Sequence, residues 1–370
     1  MKYLLLLFTI MAVTFEVSNA QPILSISGSA LSGISSYDQA ALLEKNRQFE
    51  SAANVKLTAD LSERVVTNIE FGLGVEGFER SSNFASGVSL SAYDITYQTG
   101  YYNSSISLGA LTVPYGQFAG SQTYNSSINS PFIYNDLGYS LLSRDSLVDF
   151  ASIGLATSSN FDFGTVKTFI FNGTDARAAN EDEGFGISIG YETGSLINGK
   201  VYDKPFNLNL GASLLNVNDK GASPSTNAIQ ADITGLILDA KFTADFIEFG
   251  GYVSMLNFDD SNSSTIDEVN TYMIYTSKSF GNVLLSARYS IITPRDYNGD
   301  GTGVTSGISN VGLTNSSLLT ITDIETTRYQ ASAIINIEEN FSIHNEAILD
   351  TYDDVRYDTA AILSYVSLNF

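Results

Sequence analysis

The sequence predicts an all-β protein, a transmembrane antiparallel up-and-down β-barrel of about sixteen strands. Three observations carry that expectation. The chain ends on Arg356 to Phe370, RYDTAAILSYVSLNF, in which Val366, Leu368 and Phe370 fall on one side of a period-two ribbon and Ser367 and Asn369 on the other. The same alternation recurs along the chain from Ile23 onward. The connections between alternating stretches are by turns short and long. A terminal strand has unpaired N–H and C=O groups along its edges, and a closed barrel satisfies the outer edge by bringing the first strand round to it.

Residues 1–20 read as a signal peptide: Lys2, an apolar run from Tyr3 to Val13, then Ser18-Asn19-Ala20 as a small-x-small cleavage site. The remaining residues, 21–370, read as one barrel domain. The first strand covers Ile23 to Tyr37, with Leu24, Ile26, Gly28 and Ala30 alternating with serines. A polar, charged stretch, Gln39 to Ser51, separates it from a hairpin. There Val55, Leu57, Ala59 and Leu61 share an apolar face with Ile69, Phe71, Leu73 and Val75, across a turn at Ser62 to Arg64. Further strands are expected near 87–99, 104–112, 148–158, 161–171, 184–193, 206–217, 229–243, 246–258, 268–278, 282–293, 325–336 and 340–352. Connections within pairs are short, as at Ala244-Asp245 and Glu338 to Asn340, with Gly194 to Pro205 a longer exception. Those between pairs are long and polar, the longest being Thr112 to Leu147. Short periplasmic turns and long extracellular loops are the habit of transmembrane barrels.

Composition agrees. Gly 30, Tyr 21 and Phe 22 against Pro 6 and Trp 0 favour turns and aromatic-rich strands, and the 44% of hydrophobic residues are interleaved with Ser, Thr and Asn. No linker divides the chain, and no stretch after the signal reaches the roughly 18 apolar residues of a helical span. A net charge of −22 excludes nucleic acid as a partner, and the absence of cysteine excludes a lipoprotein or a disulfide-stapled fold. Tyr93, Tyr97, Tyr101, Tyr102, Phe161, Phe206, Phe246, Phe280 and Phe341 stand at strand ends, where interface girdles belong.

The signal, the opening ILSISGSALSGI, the alternating strands and the final SLNF resemble Gram-negative outer-membrane porins, closest to those of alphaproteobacterial and marine type. That resemblance implies a sixteen-stranded barrel, a homotrimer, and a third loop folded into the lumen as a constriction. It further implies contact with outer-membrane lipid and lipopolysaccharide, and recognition of Phe370 by the outer-membrane assembly machinery. Many such porins oppose an acidic loop to a dense arginine ladder, which Lys+Arg 18 does not supply here.

The stretch from Thr112 to Leu147 occupies the constriction-loop position, and Tyr115, Tyr134, Asp136, Arg144 and Asp145 are its candidate pore residues. The polar phase of the wall carries Lys56, Lys241, Arg288 and Arg328 against Asp60, Glu70, Glu76, Asp239, Glu248, Glu346 and Asp350. Acids outnumber bases, so weak cation selectivity is expected unless cross-strand pairing neutralises them. A phosphate-selective channel would want a basic cluster, and Arg144 alone stands in that loop. Small inward residues at Gly72, Gly74, Gly186, Gly190 and Gly250 favour an open lumen over a plugged barrel acting as an adhesin or structural protein. Asp296, Asn298, Asp300 and Thr302, with Gly301, have the spacing of the first half of a calcium loop, but Gly307 stands where the bidentate glutamate belongs, so Ca²⁺ would need Asp323 or Glu325. His344, with Ser342 and Glu346 on its face, is the seed for catalysis, but it lies just after a short turn, so no enzyme is expected. The function expected is passive diffusion of ions and small hydrophilic solutes.

Overall fold

The computed structural model describes residues 23–39, 44–75, 87–112, 115–116, 151–171, 185–193, 197–201, 204–218, 232–245, 247–259, 268–295, 325–352 and 358–370. Every one of its regular elements is a strand. In chain order they are β1 (Ile23–Gln39), β2 (Glu44–Ser62), β3 (Val65–Val75), β4 (Gly87–Gln98), β5 (Ser105–Thr112) and β6 (Ala151–Phe161). Next come β7 (Gly164–Phe171), β8 (Phe185–Thr193), β9 (Ile197–Val201), β10 (Lys204–Asn218), β11 (Asp232–Ala244) and β12 (Ile247–Asp259). The chain finishes with β13 (Glu268–Phe280), β14 (Val283–Arg295), β15 (Thr326–Glu338), β16 (Phe341–Tyr352) and β17 (Thr359–Asn369).

Apart from β8 and β9, which do not pair with each other, each strand pairs antiparallel with its neighbours in sequence, and β1 pairs with both β2 and β17, so the sheet closes on itself. Segments β8 and β9 both pair with β10, one beyond the other along the same edge, and form one stave, which gives sixteen staves. Ser29 stands opposite Asn369 and Gln39 opposite Thr359 at the seam. Phe370 extends it: its N–H donates to the Gly28 carbonyl at 3.0 Å, and the Gly28 N–H donates to the Phe370 carbonyl at 2.8 Å. Closure therefore supplies the second edge that the terminal strand requires.

Facing follows from the pleat. Val366, Leu368, Ile362, Leu349, Tyr329, Leu285, Ile274, Val253 and Leu238 all point outward and are exposed, while the alternate residues of the same strands, among them Ser367, Glu346, Arg328 and Arg288, point inward and are buried. Outward exposure of Ile362 fixes the facing of the last strand through its wholly apolar front half. At the short-turn end the outer face carries arcs of aromatic rings. Tyr102, Phe161, Phe163 and Tyr191 follow one another at centroid distances of 5.3, 5.1 and 6.3 Å, and Phe206, Phe242 and Phe249 at 5.4 and 6.1 Å.

Two of the expected loops are strand. Glu44 to Ser51, inside the polar stretch, continues the β1–β2 ladder as far as Gln39 opposite Glu44. Backbone pairing needs no apolar side chain, so the ladder runs past the end of the apolar alternation. Likewise Ile197–Val201, inside the expected long connection, pairs with β10, and Val201 stands opposite Lys204. Two residues of sequence lie between those paired ends. The 1–20 segment, most of the 112–147 loop and Phe246 lie outside the described residues.

Candidate pore and its constriction

The inner wall has two contrasting sectors. On β2 to β5, polar side chains satisfy one another. Thr58 Oγ1 donates to Asn68 Oδ1 at 2.9 Å, and Asn68 Nδ2 donates to both carboxylate oxygens of Asp94 at 3.1 Å. Thr96 Oγ1 lies 2.9 Å from Asp94 Oδ2 and 2.7 Å from Ser107 Oγ. Asp94 was not singled out above, although Tyr93, Ile95 and Tyr97 alternate around it and so mark it as inward. Lys167, opposite Gly190, is a second inward charge legible only from its phase.

On β10 to β12 the wall receives the chain that follows β5. Tyr115 is fully buried, and its hydroxyl reaches Ser254 Oγ at 3.3 Å and the Met255 carbonyl at 3.4 Å. The Gly116 N–H donates to Ser213 Oγ at 3.0 Å. Strand β5 lies between β4 and β6, so reaching Ser213 and Ser254 takes the chain across the interior of the barrel. Glycines make the seat. A Cβ on Gly235 would stand 2.6 Å from the Tyr115 hydroxyl, and one on Gly116, whose φ of +86° already favours glycine, would stand 2.9 Å from Ile237 Cδ1. Burial raises the Tyr115 phenol above its ordinary value, with the Ser254 hydrogen bond pulling the other way, so the group docks neutral.

Asp239 is buried beside this seat and packs over Gly211. Nearer the short turns, Lys241 Nζ pairs with Glu248 Oε2 at 3.1 Å, and the Tyr275 hydroxyl donates to Glu248 Oε1 at 2.7 Å. Arg288 donates from Nε to Ser290 Oγ at 2.8 Å, and Arg328 is buried on β15 two residues from Gln330. Glu346 accepts from the Tyr365 hydroxyl at 3.3 Å. Lys56 and Glu70 stand opposite each other on β2 and β3, and Asp60 is exposed near the turn that joins them. Two of the inward glycines, Gly186 and Gly250, do not leave empty wall. The Phe171 ring lies over Gly186 and the Tyr275 ring over Gly250, because a position without a side chain seats a neighbour's ring.

Ser342 Oγ and His344 Nε2 meet at 2.6 Å, and the imidazole stacks on Tyr365 with centroids 4.7 Å apart. This pair faces inward just beyond the short turn at Glu339-Asn340, with its ring covered by the tyrosine. Tyr134, Asp136, Arg144, Asp145 and Glu76 lie outside the described residues, as do Asp296, Asn298, Asp300 and Thr302. Among the described residues no group of His, Asp and Glu is arranged to hold a metal ion.

No protein-family model matches the chain, and no curated protein matches its sequence. Solved structures do. The chain is similar to an anion-selective porin from Comamonas acidovorans at 10% identity, TM-score 0.62, covering 95% of this chain and all of that one. It is similar to Salmonella typhi OmpF in complex with daunomycin at 11% identity, TM-score 0.62, covering 94% and 97% of the two chains. Pseudomonas putida OprB aligns at 9% identity, TM-score 0.59, over 94% of each chain. Over about 95% of its length, then, the chain has the fold of these outer-membrane porins.

Proposed function

We propose that this protein is a porin of a Gram-negative outer membrane, a water-filled barrel through which ions and small hydrophilic solutes diffuse without reaction or energy coupling. The observation that carries the proposal is the crossing of the interior by the chain after β5, seated through Tyr115 and Gly116 on β10 to β12. A segment so placed narrows the passage, and the apolar outer face with aromatic arcs suits a lipid surround. In this proposal Tyr134, Asp136, Arg144 and Asp145, farther along the same loop, face the narrowed passage and set its field. Three copies form the working unit, the outer rim meets lipopolysaccharide, and Phe370 is the assembly signal.

The proposal includes weak cation selectivity. Among the described residues, inward acids at Asp60, Glu70, Asp94, Asp239, Glu248 and Glu346 exceed inward bases at Lys56, Lys167, Lys241, Arg288 and Arg328, and the Lys241–Glu248 pair cancels one of each sign. The bias is modest, since mobile ions screen it over about 8 Å at physiological salt. Calcium at Asp296 to Thr302 is a separate proposal, and loss of calorimetric calcium binding in Asp300→Ala is its expected result.

Single-channel recording of the purified protein in a planar bilayer under a KCl gradient tests the main proposal. Large ohmic steps with a reversal potential of cation sign are expected. Absent steps from folded protein would remove the open pore, and an anion-sign reversal potential would remove the selectivity.

A further inference from the structure

The outer face of β11 to β14 holds a groove of about 850 Å³ at the level of the lower half of the barrel, next to the short turns. Its floor is made by small outward residues that the register brings side by side: Ala240 opposite Gly251, and Thr276 opposite Ala287. Its banks are large, with Phe242 and Phe249 at the turn end and Ile274 beside Gly251. Elsewhere on this face exposed Leu, Ile, Val and Tyr give a convex apolar surface that fluid lipid covers without specificity.

One outward step beyond the lining residue Thr276, towards the short turn, stands a charge. Lys278 follows Thr276 by two residues on the same outward phase, is exposed, and holds its ammonium 4.7 Å from the centroid of the Phe280 ring, at the turn Gly281-Asn282. A cation at the aromatic level with an apolar trough above it matches a glycerophospholipid: phosphate at Lys278, one acyl chain along Ala240 and Gly251. The span from Phe249 to Val253 is about 10 Å along the barrel axis at the usual strand rise and tilt, close to the depth of one leaflet.

We propose that this groove is a binding site for one phospholipid of the periplasmic leaflet, with its anionic phosphate held by Lys278. The proposal rests on the barrel lying in a membrane and not on solute passage. A second copy of the chain is the competing occupant, but a cation at the mouth of an apolar trough is matched by a phosphate head on an acyl tail.

The test is native mass spectrometry of the full-length protein released from nanodiscs that contain dipalmitoyl phosphatidylglycerol or, as an uncharged control, dipalmitoyl glycerol. Wild type should retain one phosphatidylglycerol per chain and about fivefold less diacylglycerol, in line with one lysine acting on an anionic headgroup. Ala287→Phe, which fills the floor, should cut retention of both lipids about tenfold. Lys278→Gln should erase the preference for phosphatidylglycerol, and Lys278→Arg should keep it. Heat-modifiable electrophoretic mobility checks folding, and Thr276→Leu serves if Ala287→Phe does not fold. Unchanged retention in the filled variant, or an unchanged preference in Lys278→Gln, overturns the proposal. So does a change of oligomeric mass with lipid retention intact, which would assign the groove to a second copy. Single-channel conductance should be the same in every variant, so failure here and failure of the pore are told apart.

Discussion

The β2–β5 and β10–β12 sectors of the inner wall are built from similar residues and behave oppositely. On β2 to β5, Thr58, Asn68, Asp94, Thr96 and Ser107 bond to one another and form a finished polar surface. On β10 to β12, Ser213 and Ser254 turn their hydroxyls to Gly116 and Tyr115, and Gly235 clears the space. A wall whose polar groups are mutually satisfied has little to offer a loop. Glycine beside hydroxyls that reach into the lumen makes a receptor, because it offers both room and partners. The difference between passive and receiving wall thus lies in where side chains are missing as much as in which are present.

Substitutions that exchange these characters should have the largest effects. Tyr115→Ala empties a fully buried seat, and losses of about 3–5 kcal/mol are usual for such truncations. The loop should leave the wall, so single-channel current should grow larger and noisier while the barrel keeps its heat-modifiable mobility. Gly235→Val should do the same from the other partner, by placing a methyl where the phenol sits. If both variants record like wild type, the docked segment does not narrow the passage.

The passive sector should respond in stability and not in gating. Asp94→Ala strips acceptors from Asn68 and Thr96, at a cost of about 1–3 kcal/mol. It should lower the thermal unfolding midpoint and slightly reduce cation preference, with open-channel noise unchanged. A noisy Asp94→Ala channel would mean the two sectors are coupled.

Alkaline pH sharpens the contrast. The docked Tyr115 phenol is raised above the ordinary 10.0, so its contribution to docking is complete below pH 10 and is lost as pH climbs from there towards the raised value. Noise should increase above pH 10 in wild type and not in Tyr115→Phe. The smallest effect belongs to Ser213→Ala, which removes one acceptor worth about 1 kcal/mol from the Gly116 N–H. More frequent brief openings at an unchanged mean current are expected.

Period-two alternation made most of this legible. It located the staves and the inward phase of Lys241, Glu248, Arg288, Arg328 and Glu346, because barrel walls face lipid on one side and water on the other. It failed at Glu44 to Ser51 and Ile197 to Val201, where backbone pairing continues without an apolar stripe to announce it. The length of the stretch after β5 marked it as one to watch, and Tyr115, among its candidates, is found seated on β10 to β12. Its seat was not readable. Tyr115 and Ser254 are joined only by the barrel's curvature, and nothing local to either residue names the other. Nor does sequence reveal that Gly186 and Gly250 seat rings, since the rings come from adjacent strands in register.

Closure of the sheet through β1 and β17 also governs how the molecule comes to exist. Every other pairing among the described strands joins consecutive staves, but Ser29 meets Asn369 only after the whole intervening chain has been laid down. Contacts of such separation form last and slowly, since the entropy of the largest loop must be given up before the final ladder returns anything. Until then both margins of the growing sheet are open to any other strand. A chaperone that shields those two margins would set the yield of folded protein more strongly than any single contact within the finished wall.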